Sequence, residues 1–325
     1  MLEGSLTFKR ASAALAATAM AAALGLTPAL GQDAGEAAAN GNGQANATAE
    51  GQQNAATDMD LDEVTVYGQA ESGDQLVGPY KQPAWTTRLH RFPTTRAYVL
   101  PKNVYEVSFW TEITGSEDDG AGPAYEFTQE VAAGLPGRFQ LDLYTVQTRP
   151  AGGEIRSEEY KIELRHALAD WGEIPLNPTL YLEYEGPLRD EGTQGLEYKL
   201  LLAETIKPRV HWAGNLIFEQ DLEQDAIEYG VSSGISYTVL ENKFQIGAEG
   251  ELVWEEEGDE DVTTSFTVGP SFQYQPTQTT ALRLAPMFGI GPDSPDYRLL
   301  AVFSLGFGGG SEDVPYSGAT GTELR

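Results

Sequence analysis

Residues 244–254, FQIGAEGELVW, show the pattern that decides the fold. Apolar and polar side chains alternate along this stretch: Phe244, Ile246, Ala248, Leu252 and Trp254 against Gln245, Glu249 and Glu251. Because successive side chains of a β-strand point to opposite faces, such a strand has one apolar and one polar face. The same alternation recurs from residue 103 to residue 309 in stretches of roughly ten residues, with turn-forming residues between them. The pattern predicts a fold built almost entirely of β-strands.

The connections between these stretches favour a membrane barrel over a soluble sandwich. Alternation alone fits both, since a soluble sheet buries its apolar face and a membrane barrel exposes it. Odd-numbered connections are long and acidic, such as TGSEDDGAGPA and EEEGDEDVTT, whereas even-numbered ones are mostly short, such as LPGR and LENK; ADWGEIPLNP is an exception. Long loops at one rim and short periplasmic turns at the other are typical of outer-membrane barrels. We predict an all-β fold: a transmembrane, antiparallel, up-and-down β-barrel of about 12 strands over residues 103–309, in the cell outer membrane.

The last predicted strand, RLLAVFSLGF, resembles the C-terminal targeting signal of outer-membrane β-barrels, with Phe307 as its final aromatic residue. The resemblance to this class spans residues 103–309 and implies insertion by the barrel-assembly machinery, but it singles out no family. The C-terminal tail, residues 310–325, departs from the pattern because such proteins commonly end at the aromatic residue.

The N-terminal third is predicted to precede the barrel. Residues 1–31 have the basic start, the apolar run of small residues and the small-residue end of a signal peptide; the alternative is a membrane anchor. Residues 32–77 are predicted to form a disordered, low-complexity periplasmic spacer. Within it, residues 61–69, LDEVTVYGQ, resemble the N-terminal box of TonB-dependent receptors, although the chain is too short for that family's plug and barrel. A strand-like peptide in a linker is the alternative.

Residues 78–102 reverse the acidic character of the chain, since no acidic residue lies between Asp74 and Glu106. The basic residues of this segment are Lys81, Arg88, Arg91, Arg96 and Lys102. We hypothesise a small plug across the periplasmic mouth of the barrel, with Trp85, Phe92 and Tyr98 packed against the wall. The alternative is a solvated periplasmic tether.

Strand parity places many charged residues on the polar face, which points inward in a membrane barrel. The acidic ones are Glu126, Glu130, Asp142, Glu163, Glu183, Glu185, Glu197, Glu219, Glu228, Glu249 and Glu251, and the basic ones are Lys161, Arg165, Lys199, Arg283 and Arg298. If the barrel is open, this net negative lining favours cations. The sequence therefore predicts a narrow, cation-leaning pore or small-solute channel. The alternative is a non-conducting structural or interaction barrel, filled by salt-bridged side chains.

Other classes of function find less support in the sequence. A net charge of −29 argues against a nucleic-acid partner, and the absence of cysteine excludes disulfides and thiolate metal sites. His166 shares the lipid-facing parity but has no recognisable nucleophile motif nearby, so we predict no enzyme, and the acidic loops lack the spacing of a calcium loop. We expect no cofactor or metal. The expected partners are outer-membrane lipid and lipopolysaccharide, the barrel-assembly machinery and a periplasmic protein.

Overall fold

The computed structural model describes residues 73–88, 91–115, 122–190, 192–241, 243–258 and 261–308. The predicted signal peptide, residues 61–69 and the C-terminal tail lie outside the described residues, as does most of the predicted spacer. Its last five residues, 73–77, are described, as are residues 78–88 and 91–101 that follow them.

The described chain forms two short strands and twelve long ones. Strands β1 (Leu76–Val77) and β2 (Gln82–Pro83) pair with each other and lead into a 3-10 turn at Ala84–Thr86. The long strands are β3 (Val104–Gly115), β4 (Ala124–Leu135), β5 (Phe139–Arg149), β6 (Arg156–Ala167), β7 (Thr179–Pro187), β8 (Gly195–Lys207), β9 (Val210–Asp221), β10 (Ala226–Leu240), β11 (Phe244–Glu257), β12 (Thr263–Tyr274), β13 (Thr280–Gly289) and β14 (Tyr297–Gly308). Each pairs antiparallel with its neighbours in sequence, and β14 pairs with β3, which closes the barrel. The predicted fold class is confirmed.

The two rims of the barrel carry different connections. We call the rim at which β3 begins the proximal rim; it carries connections 136–138, 168–178, 208–209, 241–243 and 275–279. The opposite, distal rim carries connections 116–123, 150–155, 188–194, 222–225, 258–262 and 290–296. The distal loops are shorter than the sequence suggested, because strands such as β3 and β11 continue into the acidic stretches. At the proximal rim, the turn between β4 and β5 depends on Gly137, whose φ of +75° is unfavourable for other residues.

The outer surface has the composition that a lipid environment requires. Large apolar side chains halfway along the strands point outward, with Val131 51%, Leu143 48% and Phe109 47% exposed. Outward-facing aromatic residues form a girdle near each end of the barrel: Tyr105, Phe139, Trp212, Tyr237, Phe244, Tyr274 and Phe307 proximally, and Tyr125, Tyr160, Tyr184, Tyr198, Phe218, Tyr229, Trp254, Phe266, Phe288 and Tyr297 distally. A closed barrel with an apolar band between two aromatic girdles is the architecture of outer-membrane proteins. The protein is a transmembrane barrel of the cell outer membrane and lies among its lipids.

No helix in the described part of the chain is long and apolar enough to cross a membrane.

Candidate functional site in the barrel lumen

The structure places all the charged residues that parity assigned to the polar face on the inner face of the barrel. They alternate with the outward apolar residues along each strand. Their surroundings differ with depth: Glu126 lies near the distal rim and is exposed, whereas Glu130, Asp142 and Glu163 are completely buried. The inner face therefore changes from solvated to enclosed along the barrel axis.

Seven of the inward carboxylates form one continuous row across seven neighbouring strands. Each is the direct cross-strand partner of the next: Asp142, Glu163, Glu183, Glu197, Glu219, Glu228 and Glu255. Asp142 lies near the proximal end of β5 and Glu255 near the distal end of β11, so the row climbs from the proximal half of the lumen to the distal rim. Like charges directly opposite each other destabilise a sheet. These seven residues, which we call the carboxylate row, therefore lower the stability of the barrel.

Three basic side chains offset part of this charge. Arg165 pairs with Glu163 and lies 3.3 Å from Asp142. Lys161 contacts three carboxylates, with Nζ 3.2 Å from Glu159, 3.7 Å from Glu183 and in closer contact with Glu185. Lys199 pairs with Glu197 at 2.8 Å.

The distal part of the row has fewer basic partners than the proximal part. Neither Glu219 nor Glu228 forms a salt bridge with a described residue. Across the lumen, Arg298 of β14 makes two hydrogen bonds to Glu112 and also contacts Glu251 of β11. The distal half of the lumen is thus acidic but contains fixed positive charges on both walls.

Residues 73–88 and 91–101, which we call the inner segment, fill the proximal half of the lumen. The segment starts at the proximal rim, where the Asp74 carboxylate lies 2.6 Å from Nε2 of His211. It reaches the middle of the strands at Thr94, whose backbone N–H and hydroxyl both donate to the Glu249 carboxylate, at 2.8 and 2.6 Å. Next to it, Asn215 accepts from the backbone N–H of Arg96 and donates to its carbonyl, both at 2.8 Å. The chain then returns to the proximal rim and enters β3.

Apolar packing fixes the inner segment against small wall residues. Trp85 and Phe92 are buried against Ala203 and Ala213, and Phe92 also lies against Gly234. These three wall residues are direct neighbours on β8, β9 and β10. A wall without large side chains leaves room for two aromatic rings, so the lumen here is shaped to hold the segment.

Three of the five basic residues predicted for the plug lie inside the barrel. The Arg96 guanidinium stacks on Trp110, 4.6 Å from the ring centroid, and the Trp110 indole N–H donates to Glu130 at 2.9 Å. Arg91 is buried and contacts Nδ1 of His211 at 2.5 Å, and Arg88 donates to the carbonyl of residue 278. Lys81 and Lys102 instead point into solvent, since both lie at or beside turns of the segment. His90 lies outside the described residues.

A buried polar network joins the end of the inner segment to the carboxylate row. The Leu100 N–H donates to Oε1 of Gln140 at 2.6 Å, and the amide nitrogen of Gln140 donates to both oxygens of Asp142, at 2.9 and 2.7 Å. Arg165 donates to the carbonyl of Tyr98 at 3.4 Å while it pairs with Glu163. The first member of the row is therefore also an anchor of the segment.

The exceptional proximal connection, residues 168–178, covers the inner segment from outside. Trp171 packs edge-on against Trp85 and Tyr98, with ring centroids 5.8 and 5.3 Å away. The backbone N–H of Trp171 donates to the carbonyl of Tyr80 at 3.0 Å, and the Tyr98 hydroxyl donates to the carbonyl of Ala169 at 2.7 Å. Burial, followed by the charge of Asp170, raises the pKa of Tyr98, so its hydroxyl stays protonated and keeps this bond. The unusual length of this connection is explained by its contact with the segment.

Sequence reasoning missed several residues of the site. Trp110, Gln140 and Asn215 contact the inner segment, and strand parity alone could have placed all three on the inner face. Asp74 was assigned to the predicted spacer, and no local signal marks it as a partner of His211. His166 is on the outer face, where its ring stacks on Phe139 with centroids 4.1 Å apart. Among the described residues there is no cluster of His, Asp and Glu able to hold a metal ion.

No protein-family model matches the chain, and no curated protein matches it either. Several solved structures are similar in fold. The KdgM porin in complex with disordered oligogalacturonate is 9% identical, with a TM-score of 0.45 over 62% of this chain and 99% of that one. The NanC porin is 10% identical, with a TM-score of 0.43 over 62% and 98%. An outer-membrane channel from Pseudomonas putida F1 is 12% identical, with a TM-score of 0.48 over 65% of this chain and 97% of that one. At such identities the similarity concerns the barrel fold alone.

Proposed function

We propose that the protein is a narrow, cation-leaning outer-membrane channel for small solutes, and that the inner segment is a plug that closes it in the conformation described here. The proximal rim faces the periplasm in this proposal. The observation that carries it is the carboxylate row, which runs from the distal rim to the contacts of the inner segment.

The row supports transport because its arrangement costs stability without an evident structural gain. A barrel that only needed filling could alternate acidic and basic partners across neighbouring strands. Here Glu197, Glu219 and Glu228 are consecutive cross-strand partners, and only Glu197 has a described salt bridge. A cation that enters at the distal rim meets closely spaced carboxylates along one wall.

The inner segment supports a closed state. Phe92 is completely buried and Thr94 hydrogen-bonds to the wall halfway along β11. A solute that crosses the membrane through the lumen must displace this segment or pass beside it. Because polar contacts and small apolar surfaces hold the segment, its release does not require the barrel to open.

The same burial favours a second candidate, a non-conducting structural or interaction barrel whose inner segment is a permanent part of the core. It would display its acidic distal loops and offer its N-terminal region to a periplasmic protein. The two candidates differ in one property: whether displacement of the segment opens a conducting path.

A reversible tether separates the two candidates. Thr95 and Ser232 face each other with hydroxyl oxygens 3.1 Å apart, and the chain has no cysteine, so T95C/S232C introduces a single disulfide between segment and wall. In planar bilayers we expect a low conductance when the disulfide is oxidised and a several-fold higher open probability after reduction. Deletion of residues 78–96 should give a permanently open pore with a reversal potential biased toward cations.

The matched control is the single variant S232C, which should not respond to reductant. Absence of conductance in both the reduced variant and the deletion variant, with the barrel folded, would leave only the structural candidate. Conduction with anion preference would contradict the proposed role of the carboxylate row.

A further inference from the structure

A small cavity lies between the inner segment and the wall, and its lining is strongly basic. Among the described residues that line it, four are arginines, Arg88, Arg91, Arg96 and Arg165, and none is acidic. Its volume is about 10 Å³, so it has room for one small guest only. The first three arginines belong to the inner segment and Arg165 belongs to β6, so the cavity bridges the two parts.

Two of these guanidinium groups have N–H donors without a hydrogen-bond acceptor in the described structure. Arg91 is only 6% exposed; it donates to His211 and Thr238, but its Nε has no partner. Arg165 is 2% exposed and its Nη2 makes no hydrogen bond, although it lies 3.3 Å from Asp142. Buried donors without acceptors cost free energy unless a guest accepts from them.

The remaining polar groups of the lining do not supply the missing acceptor. Oε1 of Gln140 already accepts from Leu100, and the Thr86 hydroxyl donates to the carbonyl of Pro83. Burial, followed by the charge of Arg283, lowers the pKa of Arg91. A water molecule would accept hydrogen bonds but leave the buried positive charge of Arg91 without an ion pair, whereas an anion supplies both an acceptor and a counter-charge.

We propose that this cavity is a binding site for a small monovalent anion of about the size of chloride. The anion accepts from Arg91 of the inner segment and from Arg165 of the wall, and so holds the segment in the barrel. The site goes beyond the proposed channel function, because it requires only the contacts between segment and wall and not conduction.

Bromide is the probe for a direct test. Crystals of the full protein in sodium bromide, measured at the bromine absorption edge, should give an anomalous peak within hydrogen-bond distance of Nε of Arg91. The peak should disappear in R91Q and remain in R138Q, because Arg138 pairs with Asp170 outside the cavity. A water molecule in the cavity of the wild type at saturating bromide, without an anomalous peak, would overturn the proposal.

A measurement in detergent solution tests the role of the anion in holding the segment. In A84C, the only thiol of the chain lies in the buried inner segment next to Trp85. Its labelling by a thiol reagent should be several-fold slower in sodium bromide than in sodium gluconate of equal ionic strength, and R91Q/A84C should lose the difference. Equal rates of A84C labelling in the two salts would show that no anion stabilises the segment.

Discussion

Phe92 packs directly onto the backbone of Gly234: a Cβ atom added to Gly234 would lie 2.5 Å from the Phe92 ring. Phe92 belongs to the inner segment and is completely buried, whereas Gly234 is on the inner face of β10, between Ala213 of β9 and Glu249 of β11. Because Gly234 has no side chain, the wall has room for the Phe92 ring. This contact fixes the depth to which the inner segment enters the lumen.

Replacing Gly234 by valine should expel the inner segment without unfolding the barrel. The added methyl groups overlap the Phe92 ring, and overpacking of this kind costs about 1–3 kcal/mol. Since the segment is not a barrel strand, its release is the easiest relief. We expect faster proteolysis within residues 73–101 and, if the segment is a plug, a higher open probability in planar bilayers.

The control for this prediction places a valine on the outer face. Ala248 lies on β11 and points outward. Its cross-strand partner on β10 is Ile235, the residue that follows Gly234. A248V should leave proteolysis of the inner segment unchanged. Equal behaviour of G234V and the wild type would mean that the Phe92 contact does not position the segment.

The barrel was predictable because one local rule, alternation of polar and apolar residues, was repeated along the chain. Parity alone gives the face of the strand on which residues such as Glu249 and Ile246 lie. The carboxylate row was not predictable in this way, since parity gives the face of a strand and not its register with the next. Glu219 lies opposite Glu228 only because of the pairing between β9 and β10.

The inner segment was only partly predictable. Its charge reversal and aromatic residues suggested a plug, but local sequence does not show which wall positions are complementary. Gly234 and Ala203 are informative only once their neighbours on the closed barrel are known. The position of residues 73–77 inside the barrel was not predictable, because Asp74 contacts His211, which is distant in sequence.

Removal of Arg165 should be the most destabilising single change in the lumen. Arg165 is buried with Asp142 and Glu163, and breaking a buried ion pair from one side costs about 3–5 kcal/mol. We expect R165M to lower the free energy of unfolding in lipid vesicles by that amount, measured with denaturant. R189M, which breaks the half-exposed pair with Glu158, should change it by less than about 1 kcal/mol.

The triple variant R165M/D142N/E163Q tests the reason for that loss. It removes the charges left behind in R165M, so it should recover part of the lost stability even though no salt bridge returns. If it is as unstable as R165M, the loss comes from packing of the arginine side chain and not from uncompensated charge.

Neutralising the distal part of the carboxylate row should weaken cation preference. In a background that lacks residues 78–96, E219Q/E228Q removes two inward carboxylates without a described salt bridge. We expect the reversal potential in a salt gradient to move toward zero, with little change in conductance at high salt, where screening is strong. E154Q/D190N removes two exposed charges from distal loops and should leave the reversal potential unchanged. An equal shift in both double variants would assign selectivity to the loops.

The outward apolar band predicts how the barrel responds to charge at different depths. Leu143 lies near the middle of β5 and is 48% exposed on the outer face, whereas Leu222 lies in the connection after β9 at the distal rim. An arginine at the bilayer midplane costs about 2–4 kcal/mol, and near the interface only about 0–1 kcal/mol. We therefore expect L143R to lower the free energy of unfolding in vesicles several times more than L222R. Because this apolar band faces lipid, we also expect the folded protein to be recovered only with detergent or lipid, and its gel mobility to change on heating. Equal losses for L143R and L222R would contradict a lipid-facing position of Leu143.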